Sequence, residues 1–287
     1  MWSSANTSVS ATALAEAYNA SGQTATPTVK GVKPWLLPNC DPLGTLPGCV
    51  GHQFVDPATG TIPAGSIYIG TPISLTRINP SASPPTTPIP GNFYPMDLAS
   101  ASRSCPAATS PSCGNVLNND YEDDISCASS TQVSCGLVSG GTISVLTTAT
   151  GGYGNRTRRA TRCLIHADNE GTTQGQDEII GAGPPLTIRA GNNYPISSLN
   201  GEAVSRSDSI VTVPLYDGSV LCSVPGTCNN PITVVGFLQI GISQTVTFVA
   251  GAPQVRGVIL NAVGCKGTAA GVSVGTTSPI AVRLIHQ

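Results

Sequence analysis

The sequence predicts an α+β protein, mainly β, with short antiparallel strands in a sheet or sandwich, two short helices and long loops stapled by disulfides. Three observations carry this expectation. Of 287 residues, 32 are Gly, 24 Pro, 30 Ser and 31 Thr, a composition that favours turns and extended segments and excludes a helical bundle. Short runs of Val, Ile, Thr and Phe bounded by Gly, Pro and Asn fill the second half of the chain, and such residues fit a pleated, half-buried surface. Ten cysteines beside three histidines, with no Cys-x-x-Cys pair, argue for disulfides and against zinc.

Charge narrows the function classes. Charged residues make up 10% of the chain and the net charge is −2, against about 25% charged in an average soluble domain. Nucleic-acid binding by counterion release needs a basic chain, so no nucleic-acid partner is expected. With 40% apolar residues the chain has enough to build a core, so it is not disordered. The longest apolar run, Ile232 to Ile242, is broken by Gly236, Gln239 and Gly241 and falls short of the ~20 residues that span a bilayer. No membrane insertion by this chain is expected. Met1-Trp-Ser-Ser-Ala-Asn6 lacks the basic and apolar regions of a signal peptide, yet the cysteines point outside the cytosol. The expectation is an extracellular or surface protein in a mature or trimmed form, its export segment removed.

The elements follow in order. Residues 8–19, with Ala13, Ala15, Ala17 and Tyr18 interleaved, predict a short helix stopped at Gly22. Lys33-Pro-Trp-Leu-Leu-Pro-Asn-Cys-Asp-Pro42 is too proline-bound for a helix, and reads as an ordered extended segment burying Trp35, Leu36 and Leu37. Strands are expected at 66–70 and 73–78, closing a first region of residues 1–80. Residues 81–93, with Pro84, Pro85, Pro88 and Pro90, form a Pro-rich connection. The remainder, 94–287, reads as a disulfide-stapled β-rich domain. It has a strand within 142–150 and a helix over 156–168, where Ala160, Cys163, Leu164 and Ala167 recur at i, i+3, i+4 and i+7. Further strands are expected at 209–216, 232–242, 244–249, 255–263 and 280–286. No fixed-period repeat is present.

The cysteines fall into the close pairs Cys40/Cys49, Cys105/Cys113, Cys127/Cys135 and Cys222/Cys228, leaving Cys163 and Cys265. Sequence does not fix connectivity. Four local bridges and one distant bridge, Cys163 to Cys265, is the most economical arrangement. Two buried free thiols is its alternative. A catalytic thiol lacks support, because no cysteine stands beside a histidine or in a redox motif.

Candidate sites are few. Asp120, Glu122, Asp123 and Asp124 could supply hard oxygen ligands for calcium, but lack the Gly and distal Glu of an EF-hand loop. A solvated turn or a helix N-terminus is the competing reading. Arg156, Arg158, Arg159 and Arg162 form the one basic patch, without the interleaved aromatics of a nucleic-acid site. Pairing with Asp168, Glu170, Asp177 and Glu178 is expected instead. Gly271-Val-Ser-Val-Gly275 matches a nucleophile-elbow pattern with His286 as the downstream base, but no helix follows it. His52, His166 and His286 suggest no shared site, and sequons stand at Asn6, Asn19 and Asn155. No cofactor is expected.

Five blocks taken together carry a resemblance: Val32 to Pro42, Asn119 to Cys127, Gly154 to Asp168, Ile210 to Asp217 and Val234 to Ile240. In their order and spacing they resemble the extracytoplasmic region of TadE/TadG-like proteins of the bacterial tight-adherence (Flp) pilus assembly systems. The resemblance implies a non-enzymatic envelope or surface protein that acts structurally, with itself and with other cell-envelope or pilus components as partners. Some longer members carry an Asp-x-Ser-x-Ser metal site. Asp97-Leu-Ala-Ser-Ala-Ser102 has Ala99 and Ala101 where the hydroxyls belong, so that metal function is not carried over. A carbohydrate- or surface-binding adhesion module is the alternative, since weakly charged β-rich domains present loops for that purpose. Few charges and several edge strands predict self-association.

Overall fold

The computed structural model describes residues 28–43, 49, 51–63, 68–80, 87–99, 103–104, 113, 120–138, 144–146, 153–168, 175–180, 186–204, 207–222, 225, 227–228, 232–249 and 252–265. It is mainly β, an α+β fold as the composition predicts. The early strands are β1 Thr28–Lys30, β2 Trp35–Pro38, β3 Pro72–Arg77, β4 Asn92–Asp97 and β5 Arg103–Ser104. Helix α1 covers Asp120–Ser126 and is followed by β6 Ala128–Ser129, β7 Gln132–Ser134, β8 Gly136–Val138 and β9 Ser144–Val145. Helix α2 covers Tyr153–Leu164. The later strands are β10 Glu178–Ile180, β11 Thr187–Arg189, β12 Ala203–Val204, β13 Ile210–Tyr216, β14 Ile232–Val249 and β15 Ala252–Gly264.

Six strands close on themselves. β13 pairs parallel with β2, β2 antiparallel with β4, and β4 parallel with β3. β3 then pairs antiparallel with β15, β15 with β14, and β14 back to β13. The expected sheet is therefore a closed, mixed circuit, which leaves few unpaired edges. The Pro-rich stretch after β3 joins two neighbouring parallel strands of this circuit. β8 and β9 are additions, on β14 and β4, and β10, β11 and β12 form a separate small sheet.

Both faces are buried in β2, in most of β4 and in β14 as far as Ile242, which is why they read as near-continuous apolar runs, whereas β3 alternates exposed and buried residues. Trp35 and Leu37 of β2, Val211, Val213 and Leu215 of β13, and Leu238, Ile240 and Ile242 of β14 share one core. Tyr121 and Ile125 of α1 and Ala160, Cys163 and Leu164 of α2 pack into the same core. Leu36, Tyr216 and Phe237 point the other way, into a second core with Tyr94 and Met96. Period-two alternation thus splits each strand between two cores.

The segment after Val32 is extended and buried as its composition predicts. Trp35 and Leu36 are fully buried and Leu37 nearly so. Asn39 acts as a strand residue in side-chain form, its Nδ2 donating to Val55 O at 2.7 Å and its Oδ1 accepting from Val55 N at 3.0 Å.

Several expectations change. Residues 232–242 and 244–249 are one 18-residue strand, because bulges between Gln239 and Ile240, Ile242 and Gln244, and Gln244 and Thr247 absorb the irregularity without ending the ladder. Within 66–70, the described residues 68–70 turn rather than extend, with Thr71 N donating to Tyr68 O at 3.0 Å. The second helix starts at Tyr153 and stops at Leu164, four residues before its expected end. The expected helix 8–19 and strand 280–286 lie outside the described residues, as does most of 142–150.

The disulfides correct the local-pairing rule. Cys40–Cys49 and Cys222–Cys228 are local bridges. Cys113 bonds Cys163, and Cys135 bonds Cys265. The pairs Cys105/Cys113, Cys127/Cys135 and Cys163/Cys265 therefore do not form. Cys127 is also disulfide-bonded, and Cys105 lies outside the described residues. Proximity in sequence misleads here because β6 and β7 stand between Cys127 and Cys135, while Cys113 meets α2 and Cys135 meets the residue that follows β15. Bridges of this kind persist in oxidising compartments.

Candidate functional site

The acidic cluster of the sequence occupies α1 and the basic patch occupies α2, and the two helices pack together. Around seven helical residues the acids cannot share one side. Asp120 is exposed, whereas Glu122 and Asp124 are buried. Glu122 Oε1 accepts from Arg159 Nε at 3.1 Å and from Arg159 Nη2 at 2.6 Å. A carboxylate taken fully out of water needs such a partner. Tyr121 and Thr157 add a hydroxyl contact of 2.9 Å between the helices, and Ser126 Oγ donates to Glu122 O at 2.9 Å.

Two expectations meet the structure here. Arg159 of the basic patch reaches back to Glu122, while Arg162 Nη2 donates to the backbone oxygen of Asp168 at 3.2 Å. Glu178 lies 3.7 Å from Arg189, and Glu170 is outside the described residues. Asp120, Glu122, Asp123 and Asp124 do not converge as calcium ligands. Among the described residues no group of three or more His, Cys, Asp or Glu is placed to hold a metal ion.

A second polar cluster forms where α2 ends. His166 N donates to Cys163 O at 3.1 Å and Ala167 N to Arg162 O at 3.0 Å, the paired bonds of a helix stop whose middle residue is usually Gly. Here that residue is His166, with φ of 56°, a backbone region that costs a side-chain-bearing residue about 1–2 kcal/mol. Its ring is 1% exposed, and Nε2 lies 3.2 Å from Asp208 Oδ2. Neither ring nitrogen has a hydrogen-bond partner, so the approach to Asp208 is a close contact between charged or polar groups. The loop is held from the other side by Asn193, whose Nδ2 donates to His166 O at 2.9 Å and to Asp168 Oδ1 at 2.6 Å.

Asp208 leads into β13 through a dense turn. Ser209 N donates to Ser207 Oγ at 3.0 Å, and Ser207 Oγ donates to Asp177 Oδ2. Asp177 is fully buried and accepts Gly191 N at 2.8 Å. Gly191 is required there, since a Cβ would run into the backbone oxygens of Gly175 and Gln176.

Lys33 reaches the same region from the start of β2. Its backbone N donates to Thr212 O at 2.8 Å and its Nζ to Cys127 O at 2.8 Å, just past α1. Burial pushes its ammonium down from the usual 10.5 to about 8, against the opposing pull of Asp208 and Asp124. Asp208 thus acts on both His166 and Lys33, and ties the end of α2 to the entry of β13. Among the described residues no hydroxyl or thiol hydrogen-bonds the His166 ring.

The remaining candidates scatter. His52 stands 3.9 Å from Asp41 and is 43% exposed, away from His166 in its contacts. His286 and the segment Gly271 to Gly275 lie outside the described residues. Sequence reading passed over Lys33 and the His166–Asp208 pair. The one signal for Lys33 was a charge set inside an apolar, Pro-bound segment, and nothing local pairs His166 with a residue 42 positions away. No protein-family model, no curated protein and no solved structure matches this chain.

Proposed function

We propose that the chain is a non-enzymatic structural protein of the bacterial cell surface, a component of a pilus or surface-filament assembly of the tight-adherence kind. The observation that carries the reading is the disulfide framework. Bridges Cys113–Cys163 and Cys135–Cys265 fasten α2 and the last described strand to distant parts of the fold, a reinforcement suited to an oxidising exterior. The buried charged groups support it, because Glu122, Asp177 and Lys33 are spent on internal contacts. The five-block resemblance to TadE/TadG-like proteins supplies the assembly context. Biotinylation of intact native cells with a membrane-impermeant reagent tests the reading. It predicts labelled protein whose cysteines resist alkylation without reductant. Label only after lysis, with alkylatable thiols, would overturn it.

A further inference from the structure

The two long bridges interleave. Cys113 bonds Cys163 at a separation of 50 positions, and Cys135 bonds Cys265 at a separation of 130. Cys135 therefore lies inside the loop closed by the first bridge, and Cys163 inside the loop closed by the second. Neither bridge joins neighbours in the series of cysteines, since Cys127 and Cys135 stand between Cys113 and Cys163, and Cys163, Cys222 and Cys228 between Cys135 and Cys265. Cys40–Cys49 and Cys222–Cys228 do join neighbours, at separations of 9 and 6. One chain carries both kinds of bridge.

The unfolded chain favours wrong partners for the long bridges. The chance that two residues meet falls as roughly the 3/2 power of the loop between them. Cys127 stands eight positions from Cys135, so Cys135 meets it roughly 60-fold more often than it meets Cys265. Cys113 meets Cys127, fourteen positions on, roughly 7-fold more often than it meets Cys163. Synthesis sharpens the bias, because Cys127 and Cys135 precede Cys163 and Cys265 comes last. In the folded protein Cys113 belongs to Cys163 and Cys135 to Cys265, so both early pairings have to be undone.

Only the finished fold aligns the native partners. Cys265 follows β15, and its N donates to Val235 O of β14 at 2.9 Å. Cys135 precedes β8, which pairs with Ile232, Thr233 and Val234 of the same strand. The Cys135 and Cys265 sulfurs therefore meet once β8 and β15 are both laid on β14. Cys113 meets Cys163 on the buried side of α2. A local Cys127–Cys135 bridge takes Cys135 out of use before either alignment exists.

We propose that the chain is a client of a thiol–disulfide isomerase, a partner that presents a reduced, nucleophilic cysteine thiolate to the incompletely folded chain. The thiolate attacks one sulfur of a misplaced bridge such as Cys127–Cys135. That S–S bond breaks, a mixed disulfide forms, and the other cysteine leaves as a thiolate. A second exchange, by a thiolate of the chain, makes a new bridge within the chain and expels the partner's thiolate. The two exchanges leave the number of disulfides unchanged, so no oxidant is consumed. The inference goes beyond the structural role proposed above and does not depend on it.

Oxidative refolding of the reduced full chain in a glutathione buffer, with and without a purified Cys-x-x-Cys isomerase, tests it. Samples alkylated at intervals are mapped as non-reduced peptides. Without the isomerase, Cys40–Cys49 and Cys222–Cys228 are expected first, peptides joining Cys127 to Cys135 accumulate, and the two long bridges follow at least ~10-fold more slowly. The isomerase is expected to speed Cys113–Cys163 and Cys135–Cys265 at least ~10-fold and to leave the two local bridges within ~2-fold. An isomerase lacking its resolving cysteine should be trapped as a mixed disulfide at Cys113, Cys127, Cys135, Cys163 or Cys265. Long bridges that form unaided as fast as the local ones, an isomerase without effect on them, or trapping confined to Cys40, Cys49, Cys222 and Cys228 would each overturn the proposal. The wild-type chain serves throughout, so no variant has to fold. Surface labelling of native cells reads none of these outcomes, so the client role can fail while the structural role stands.

Discussion

Cys135 and Cys265, separated by 130 positions, join two strands laid end to end along one side of β14. β15 finishes where Gly264 pairs with Gly236, and β8 takes over where Gly136 pairs with Val234. Cys265 N donates to Val235 O at 2.9 Å, so the bridge sits at the junction of the two ladders.

The first prediction is an order of importance among the bridges. In the chain-entropy picture the closed loop sets the gain, about 5 kcal/mol for Cys135–Cys265, about 4 for Cys113–Cys163 and about 2 for Cys222–Cys228. Paired Cys→Ala variants followed by thermal and denaturant unfolding should rank in that order. Equal losses, or the greatest loss at Cys222–Cys228, would refute it.

How much of this was legible in the sequence depended on whether the cause was local. Buried Leu36 and Leu37 between Pro34 and Pro38 announced their segment because proline forbids a helix and the apolar side chains need cover. The strands 210–216 and 232–249 announced themselves by β-branched and apolar runs. The closing of the sheet did not, since it depends on β13 lying parallel to β2, about 180 residues earlier. Disulfide partners were misread for the same reason. Asp208 finding both His166 and Lys33 left no trace in any window of sequence.

The second prediction concerns Glu122 and Arg159. Arg159→Met leaves a carboxylate with no exposure and no cation, and is expected to cost about 2–4 kcal/mol, reduced by the 41% exposure of Arg159. Adding Glu122→Gln removes the stranded charge and should recover part of the loss. Additive losses in the double-variant cycle would show that the pair does not couple.

The third prediction is an alkaline optimum. Lys33 has its pKa lowered from 10.5 to about 8, so between those values the unfolded chain holds a proton that the folded chain has released. Stability therefore rises with pH across that window, by up to about 1.4 kcal/mol per unit. Tyr68 and Tyr216 are pushed upward mainly by burial, and Tyr94 by burial alone. Above about 10 the unfolded tyrosines ionise first and stability falls. Urea unfolding at pH 8, 9, 10 and 11 should show the climb and the fall. Lys33→Met should abolish the climb alone, and parallel profiles for both proteins would contradict the assignment.

The fourth prediction separates backbone from ring at His166. His166→Ala loses the contact with Asp208 and keeps the left-handed backbone, whereas His166→Gly loses the contact and relieves the backbone. The glycine variant should be more stable than the alanine variant by about 1 kcal/mol in chemical unfolding. Alanine equal to or better than glycine would mean that the turn is not held in this conformation.

The central claim, a structural role in a surface assembly, is tested most directly by immunogold electron microscopy of native cells and of the appendages sheared from them. The account predicts gold particles along surface structures, and the chain recovered with the sheared material under non-reducing conditions. Label confined to the cell interior, with sheared appendages free of the chain, would contradict it.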